Sequence, residues 1–200
     1  MTIEISDSDG TELVRMSRKA VMQMLETNSK VSDSNFNTKF NFESGVFVTL
    51  NKKNDLRGCI GFPTPIKKLS NGLVDAAIAA ATKDPRFSSV KLDELDEITF
   101  EVTVLTPPIE VKVKNHDEYL ALIKVGRDGL IVERSFSSGL LLPQVPTEYG
   151  WNVEEFLCHT CEKAGLDKNA WRDLSTKISK FEGIIFKEIS PNGDVLREQS

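Results

Sequence analysis

Apolar residues recur at intervals of three and four positions in three stretches of the chain, a pattern that predicts amphipathic helices. The first helix is predicted to begin at a capping box formed by Asp9 and Glu12, and the second is the alanine-rich stretch 69–81. The third is predicted to begin at a cap formed by Asn152 and Glu155 and to end at Gly165, because glycine readily ends a helix in the left-handed conformation. Since each apolar stripe needs burial to be stable, these helices are expected to pack against a core.

Alternating apolar and polar residues predict the strands. Residues 46–50 and 56–60 are predicted to form a hairpin around the polar turn 51–55, and residues 98–104 alternate as a half-buried strand does. Residues 181–189 are predicted to form a closing strand, after which the chain is expected to turn and fray. The pattern therefore indicates helices combined with a sheet that contains an antiparallel hairpin.

The returning strand of this hairpin carries the most unusual chemistry. Its two predicted faces are Leu56, Gly58 and Ile60 on one side and Arg57, Cys59 and Gly61 on the other. Leu56 and Ile60 are expected to anchor the buried face, so that Cys59 points away from it. A thiol beside a guanidinium, on backbone left open by glycine, suits a reactive cysteine or an anion site. The alternative is a small apolar side chain that fills the sheet, since free cysteine is often buried.

The segment Cys158-His159-Thr160-Cys161 suggests a redox dithiol or a metal site. On a straight helix, at about 100° per residue, His159 and Cys161 lie about 160° apart and cannot bind one ion together. No second C-x-x-C follows, so a zinc site would lack ligands unless Cys59 joined it. No metal is predicted, and packing is the favoured interpretation of the two cysteines. His159 is retained as a weak candidate for the general base of Cys59, since such partners are often distant in sequence.

Three arginines lie near predicted turns or strand ends: Arg57, Arg86 and Arg127. If they converged, they would bind a carboxylate or phosphate through paired hydrogen bonds. The alternative is that they are solvated or form salt bridges to acidic neighbours such as Asp84 and Asp128. The sequence leaves both interpretations open.

Composition narrows the classes of partner. The 200 residues include 25 Lys and Arg and 30 Asp and Glu, and the net charge of -5 argues against nucleic acid or an anionic membrane as a partner. No apolar run approaches the roughly 18 residues that span a bilayer, and the first residues lack the pattern of a signal peptide. Three cysteines, an odd number, disfavour a secreted disulfide framework, so the predicted compartment is the cytoplasm. Neither a Walker loop nor a dinucleotide fingerprint is present, and no cofactor is predicted.

Several short segments together resemble the AMME chromosomal region (AMMECR) family. The hexapeptide 56–61 matches the signature of the family without a departure. The other segments that carry the resemblance are 84–87, 94–98, 126–130, 139–146, 155–157 and 163–166. Because these segments span most of the chain, it is identified as similar to prokaryotic, archaeal-type members of the family.

The resemblance implies an α+β fold with two subdomains, each an antiparallel sheet packed with helices, the larger one holding both termini. On this expectation the large domain comprises residues 1–60 and 143–200, and residues 61–142 form a small inserted domain. The resemblance also implies a functional cleft near the hexapeptide. Prokaryotic relatives occur fused to or beside Memo-like and radical SAM proteins, which implies a functional link to such proteins.

Two functional hypotheses follow. The first is a ligand-binding or catalytic cleft at residues 56–61 for a small anionic ligand; if it is catalytic, the predicted chemistry is thiol-dependent group transfer or hydrolysis, with Cys59 as nucleophile and His159 as base. The residues predicted to bind the ligand are Arg57, Gly58, Gly61 and Arg86. The second hypothesis is a non-enzymatic regulatory or adaptor protein that binds a protein partner through the same cleft, with Cys59 in a structural role.

Overall fold

A computed structural model describes residues 5–30 and 38–198 of the chain. The helices are α1 (Asp7–Thr27), α2 (Leu69–Thr82), α3 (Tyr119–Leu122), α4 (Gln144–Tyr149) and α5 (Val153–Lys163). The strands are β1 (Val46–Lys52), β2 (Asp55–Phe62), β3 (Ile98–Leu105), β4 (Ile109–Glu110), β5 (Asp128–Arg134), β6 (Ser137–Leu141), β7 (Lys177–Glu188) and β8 (Val195–Glu198). The ladders that join β1 to β2 and β3, and β5 to β6 and β7, are antiparallel, and the predicted α+β class is confirmed.

The chain divides into two compact units, Met1–Leu105 with Ile184–Gln199 (unit 1) and Thr106–Gly183 (unit 2). These limits differ from the boundaries predicted after residues 60 and 142, because α2 and β3 pack with the β1–β2 hairpin inside unit 1. The organisation into a discontinuous large domain and a small inserted domain stays a prediction. Among the described residues, no helix is both long and apolar enough to cross a membrane.

Unit 1 contains the predicted hairpin, with β1 between β2 and β3. Val46, Val48 and Leu50 of β1 are fully buried, and they alternate with half-buried residues on the opposite face. The buried face packs against α2, whose alanines allow close approach: a Cβ atom added to Gly58 would lie 2.2 Å from the carbonyl oxygen of Ala80. Gly58 is therefore required by packing rather than by backbone conformation.

A β-bulge changes the faces of the hexapeptide. The pairing register passes from Leu50 opposite Gly58 directly to Asn51 opposite Leu56, so Arg57 is an extra residue with no partner on β1. Ile60 packs against the core as predicted. The prediction that Leu56 anchors the buried face was wrong: Leu56 is 41% exposed, because the bulge reverses the alternation at this point.

The capping predictions succeeded in part. Asn152 and Glu155 form the predicted capping box of α5, each side chain accepting a hydrogen bond from the other's backbone N–H. The first helix begins three residues earlier than predicted, because Ser6 is its N-cap and Asp9 is the residue that completes the box. The tail was wrongly predicted to fray, since β8 pairs with the end of β7.

Unit 2 contains the β5–β6 hairpin. Strand β5 also pairs, on its other side, with the first half of β7. Leu130 and Val132 of β5 are fully buried and share a core with Phe156 and Leu157 of α5. Trp171 lies in the same core.

Candidate functional site

Cys59 lies on β2, the strand at the edge of the unit 1 sheet. Its backbone groups are satisfied by side chains instead of a further strand. The carboxylate of Asp84 accepts a hydrogen bond from the Cys59 N–H at 2.9 Å, and Arg86 Nη2 donates to the Cys59 carbonyl at 3.4 Å. These two side chains thus close the edge of the sheet at the position of the thiol.

Asp84 and Arg86 are bound to each other as well. Arg86 Nε and Nη2 donate to the two carboxylate oxygens at 3.0 and 2.8 Å, and the Arg86 N–H donates at 3.1 Å. The Asp84 side chain is only 2% exposed. The hydrogen bonds from Arg86 and from the Cys59 N–H hold the pKa of Asp84 well below its usual range, against the opposing effect of burial. Asp84 is therefore a permanent anion at neutral pH.

The Cys59 side chain lies on the face of the sheet opposite the core. Its cross-strand partner is Thr49, whose Oγ1 donates a hydrogen bond to the Cys59 sulfur at 3.3 Å. Cys59 as a whole is half-buried. In the next row, the Phe47 ring covers Gly61, where an added Cβ would lie 2.3 Å from the ring. Gly61 thus provides room for an aromatic side chain beside the thiol.

Arg57 points away from solvent and is bound to Glu94. Its Nε and Nη2 donate to the two oxygens of Glu94 at 3.2 and 3.1 Å, and its Nη1 donates to the Ser88 carbonyl at 2.8 Å. The Arg57 side chain is 13% exposed. The hydrogen bonds from Arg57 lower the pKa of Glu94 to about 2, and Lys52 adds an ion pair at 3.3 Å.

An open pocket of about 450 Å³ adjoins this ion pair. The residues that line it are Arg57, Phe87, Ser88, Lys91, Asp93 and Glu94. Two cationic and two anionic side chains give the pocket a mixed charge. It is suited to a small polar molecule that carries both donors and acceptors, rather than to a simple anion.

The arginines fit the salt-bridge interpretation. Arg86 and Arg127 pair with Asp84 and Asp128, the two acidic neighbours named from the sequence, and this alternative is confirmed for both. Within unit 1, Arg57 and Arg86 each donate to both oxygens of a carboxylate. An anionic ligand at either arginine must share the guanidinium with that carboxylate or displace it.

The remaining candidates lie in unit 2. His159 Nδ1 is 2.8 Å from a carboxylate oxygen of Glu162, and its ring stacks on Trp151 with 3.9 Å between ring centroids. Its assignment as the base of Cys59 stays a prediction. Cys161 is fully buried, and burial raises the pKa of its thiol to about 11, which agrees with packing. Among the described residues, no three His, Cys, Asp or Glu side chains are grouped so that they could hold a metal ion.

Three residues of the site were missed from the sequence as site residues: Thr49, Asp84 and Glu94. The sequence named Asp84 only as an acidic neighbour that could neutralise an arginine, and Glu94 only as part of the segment 94–98 that carries the family resemblance. Thr49 carried no signal, because its contact with the sulfur depends on the register of the hairpin.

The family model described as AMMECR1 matches residues 14–186 of the chain. A protein of Methanocaldococcus jannaschii is 50% identical over 193 residues, which cover 96% of this chain and 96% of that protein. A protein of Methanothermobacter thermautotrophicus is 50% identical over 186 residues, covering 92% of this chain and 96% of that protein. The crystal structure of an uncharacterised protein from Pyrococcus horikoshii is similar with a TM-score of 0.82 at 47% identity, covering 99% of this chain and 100% of that one.

Proposed function

The chain belongs to the AMMECR1 family, and from that premise we propose that it is a cysteine-dependent enzyme that transfers or hydrolyses a small acyl-type group. One observation supports this most: the Cys59 sulfur accepts a hydrogen bond from Thr49, while Asp84 and Arg86 bind the backbone of the same half-buried residue. A nucleophile held in place before the substrate arrives loses little freedom in the reaction.

The proposed step forms a bond between the Cys59 sulfur and the electrophilic carbon of the substrate. The thiol proton passes to a base, the bond to the leaving group breaks, and the leaving group departs with a proton. Water or an acceptor then attacks the thioester carbon and releases the thiol. His159 is the base predicted from the sequence.

The pocket beside Arg57 is the proposed seat of the substrate. Arg57 and Lys91 supply donors and Asp93 and Glu94 supply acceptors. Arg57 is two residues from Cys59 along β2, about 7 Å in an extended strand. Arg86, Gly58 and Gly61 contribute by shaping the strand around the sulfur.

Thiol labelling tests this proposal directly. Trypsin cuts after Arg57 and Lys67, so the peptide 58–67 contains Cys59 and neither of the other two cysteines. We expect iodoacetamide to label this peptide in the folded protein at pH 8. We also expect a burst of about one p-nitrophenolate per chain from p-nitrophenyl acetate, absent in Cys59→Ala. A Cys59 that resists labelling while folded, yet labels in urea, rejects the nucleophile.

The second candidate is an adaptor that presents the same surface to a protein. The observation in its favour is that Glu94 and Asp84 already neutralise Arg57 and Arg86. Neither guanidinium group therefore offers an unpaired positive charge to a small anion. Memo-like and radical SAM proteins, implied by the family resemblance, are the partners to test first. Binding measured by calorimetry that survives Cys59→Ser but is lost in Arg57→Ala favours the adaptor.

A further inference from the structure

Three polar side chains form a row across the unit 1 sheet. Thr49 on β1 lies opposite Cys59 on β2 and opposite Glu101 on β3. Directly opposed residues project from the same face, with Cβ atoms about 4.5–5.5 Å apart. The other face of β1 carries the buried core residues Val46, Val48 and Leu50. Thr49 therefore stands between the sulfur and a carboxyl group, away from the core.

Glu101 differs from the other carboxyl groups near Cys59. No described residue forms an ion pair with it, whereas Asp84 and Glu94 are each bound by an arginine. Burial raises the pKa of Glu101, and the charge of Glu198 adds to this while that of Lys187 opposes it. The pKa values of neighbouring carboxyl groups are thus driven in opposite directions, a pattern that marks proton-handling sites.

We propose that Thr49 and Glu101 are positioning residues for Cys59. The ionisation of Glu101 sets the direction in which the Thr49 hydroxyl points, and this direction sets the reactivity of the Cys59 sulfur. This inference rests on the proposed function, because it presumes a reactive thiol. When Glu101 is neutral, its carboxyl O–H donates a hydrogen bond to Thr49 Oγ1, and the Thr49 hydroxyl donates a hydrogen bond to the thiolate. When Glu101 is ionised, its carboxylate accepts the hydrogen bond from the Thr49 hydroxyl, and the sulfur loses its hydrogen-bond donor.

The charged groups around the row are few. The charges of Lys187 on β7 and Glu198 on β8 act on Glu101, and these two side chains pair with each other at 3.0 Å. Near Cys59 the charged groups are Asp84, which binds its N–H, and Arg86, which binds its carbonyl. These two neutralise each other, so Glu101 is the uncompensated charge that acts on a thiolate at Cys59.

The magnitude follows from the strand spacing. Two steps of about 4.8 Å separate Cys59 from Glu101, and like charges about 10 Å apart at an effective dielectric constant near 20 change a thiolate population about tenfold. A hydrogen bond to a charged acceptor contributes a similar factor. Both effects are large enough to measure in the pH dependence of alkylation.

The experiment measures the iodoacetamide labelling rate of the peptide 58–67 between pH 5 and 9. We expect Glu101→Gln to raise the rate at pH 7 about tenfold, because a neutral amide replaces the charge and carries an N–H donor for Thr49. We expect Thr49→Val to lower it about tenfold and Thr49→Ser to restore it. Thr103→Val is the matched control, since Thr103 lies on the same face of β3 opposite Phe47 and should leave the rate unchanged.

A double variant separates the effect of the Thr49 hydroxyl from the direct electrostatic effect of the Glu101 charge. In the Thr49→Val background, the gain from Glu101→Gln should shrink, because the donor that it orients is gone. An undiminished gain overturns the link through Thr49. Glu101→Thr, a neutral residue that favours strands, provides a second route if the glutamine variant does not fold.

Failure of this inference differs from failure of the proposed function. If Cys59 labels readily and its labelling rate is unchanged in Thr49→Val and in the Glu101 variants, the roles proposed for Thr49 and Glu101 are wrong. The assignment of Cys59 as the nucleophile is unaffected by that result. A folded protein whose Cys59 does not label up to pH 9 overturns both.

Discussion

Replacing Asp84 by Asn tests how much the carboxylate that binds the edge of the sheet at Cys59 contributes to the free energy of unfolding. Asp84 receives four hydrogen bonds: two from the Arg86 side chain, one from the Arg86 N–H and one from the Cys59 N–H. An asparagine amide has one acceptor oxygen, so in either orientation its NH₂ group faces two donors. The substitution therefore removes two charge-assisted hydrogen bonds and leaves the Cys59 or Arg86 N–H without a partner.

The expected loss can be estimated from these contacts. Two hydrogen bonds to a charged group contribute about 1.5–3 kcal/mol each. Arg86 is 54% exposed, so water compensates part of this when its partner is lost. We expect Asp84→Asn to lower the free energy of unfolding by about 2–4 kcal/mol at pH 7, measured by urea denaturation. Asp173→Asn is the control, because Asp173 pairs with Arg134 on an exposed surface and its loss should cost far less than that of Asp84.

The pH dependence gives a second test. The folded pKa of Asp84 lies below the unfolded value, so its contribution is complete above about pH 4 and is lost as the pH falls toward the folded pKa. The difference between wild type and Asp84→Asn should stay constant from pH 8 to pH 5 and shrink below pH 4. A difference under about 1 kcal/mol at pH 7, or one that grows on acidification, refutes the reasoning.

Three further predictions concern packing. Gly58→Ala should destabilise by about 1–3 kcal/mol in urea, because its Cβ would meet the Ala80 carbonyl at 2.2 Å; an unchanged midpoint contradicts this. Glu188→Ala should cost about 3–5 kcal/mol by the same assay, because fully buried Glu188 accepts from Arg18 and from the Phe100 N–H; a loss below 1 kcal/mol contradicts it. Cys161 should resist iodoacetamide at pH 8 in the folded chain, since burial raises its pKa to about 11; rapid labelling seen by peptide mass spectrometry contradicts this.

Local patterns determined most secondary structure. The alternation over residues 98–104 matches β3, and Asn152 with Glu155 begins α5 where predicted, because strand faces and helix caps depend on residues only a few positions apart. The same rule explains one error: the pairs Ser6 with Asp9 and Asp9 with Glu12 both suit a helix start, and the chain uses the earlier one.

The partners of Cys59 were decided by tertiary structure. An unbroken hairpin around the turn at Lys53 and Asn54 would set Cys59 opposite Val48, whereas the bulge at Arg57 shifts the register by one and sets it opposite Thr49. Ladder geometry and side-chain packing along the whole sheet determine such a bulge, and no local pattern announces it.

The charge state of the site was decided in the same way. The sequence placed a thiol, one guanidinium group and two glycines in one neighbourhood, and their residue types set what chemistry they can perform. It did not place Glu94 against Arg57, since that contact joins residues 37 positions apart. Residue identity is local information, but the distance between two charges exists only after the chain has folded, and that distance decides whether an arginine can bind a ligand.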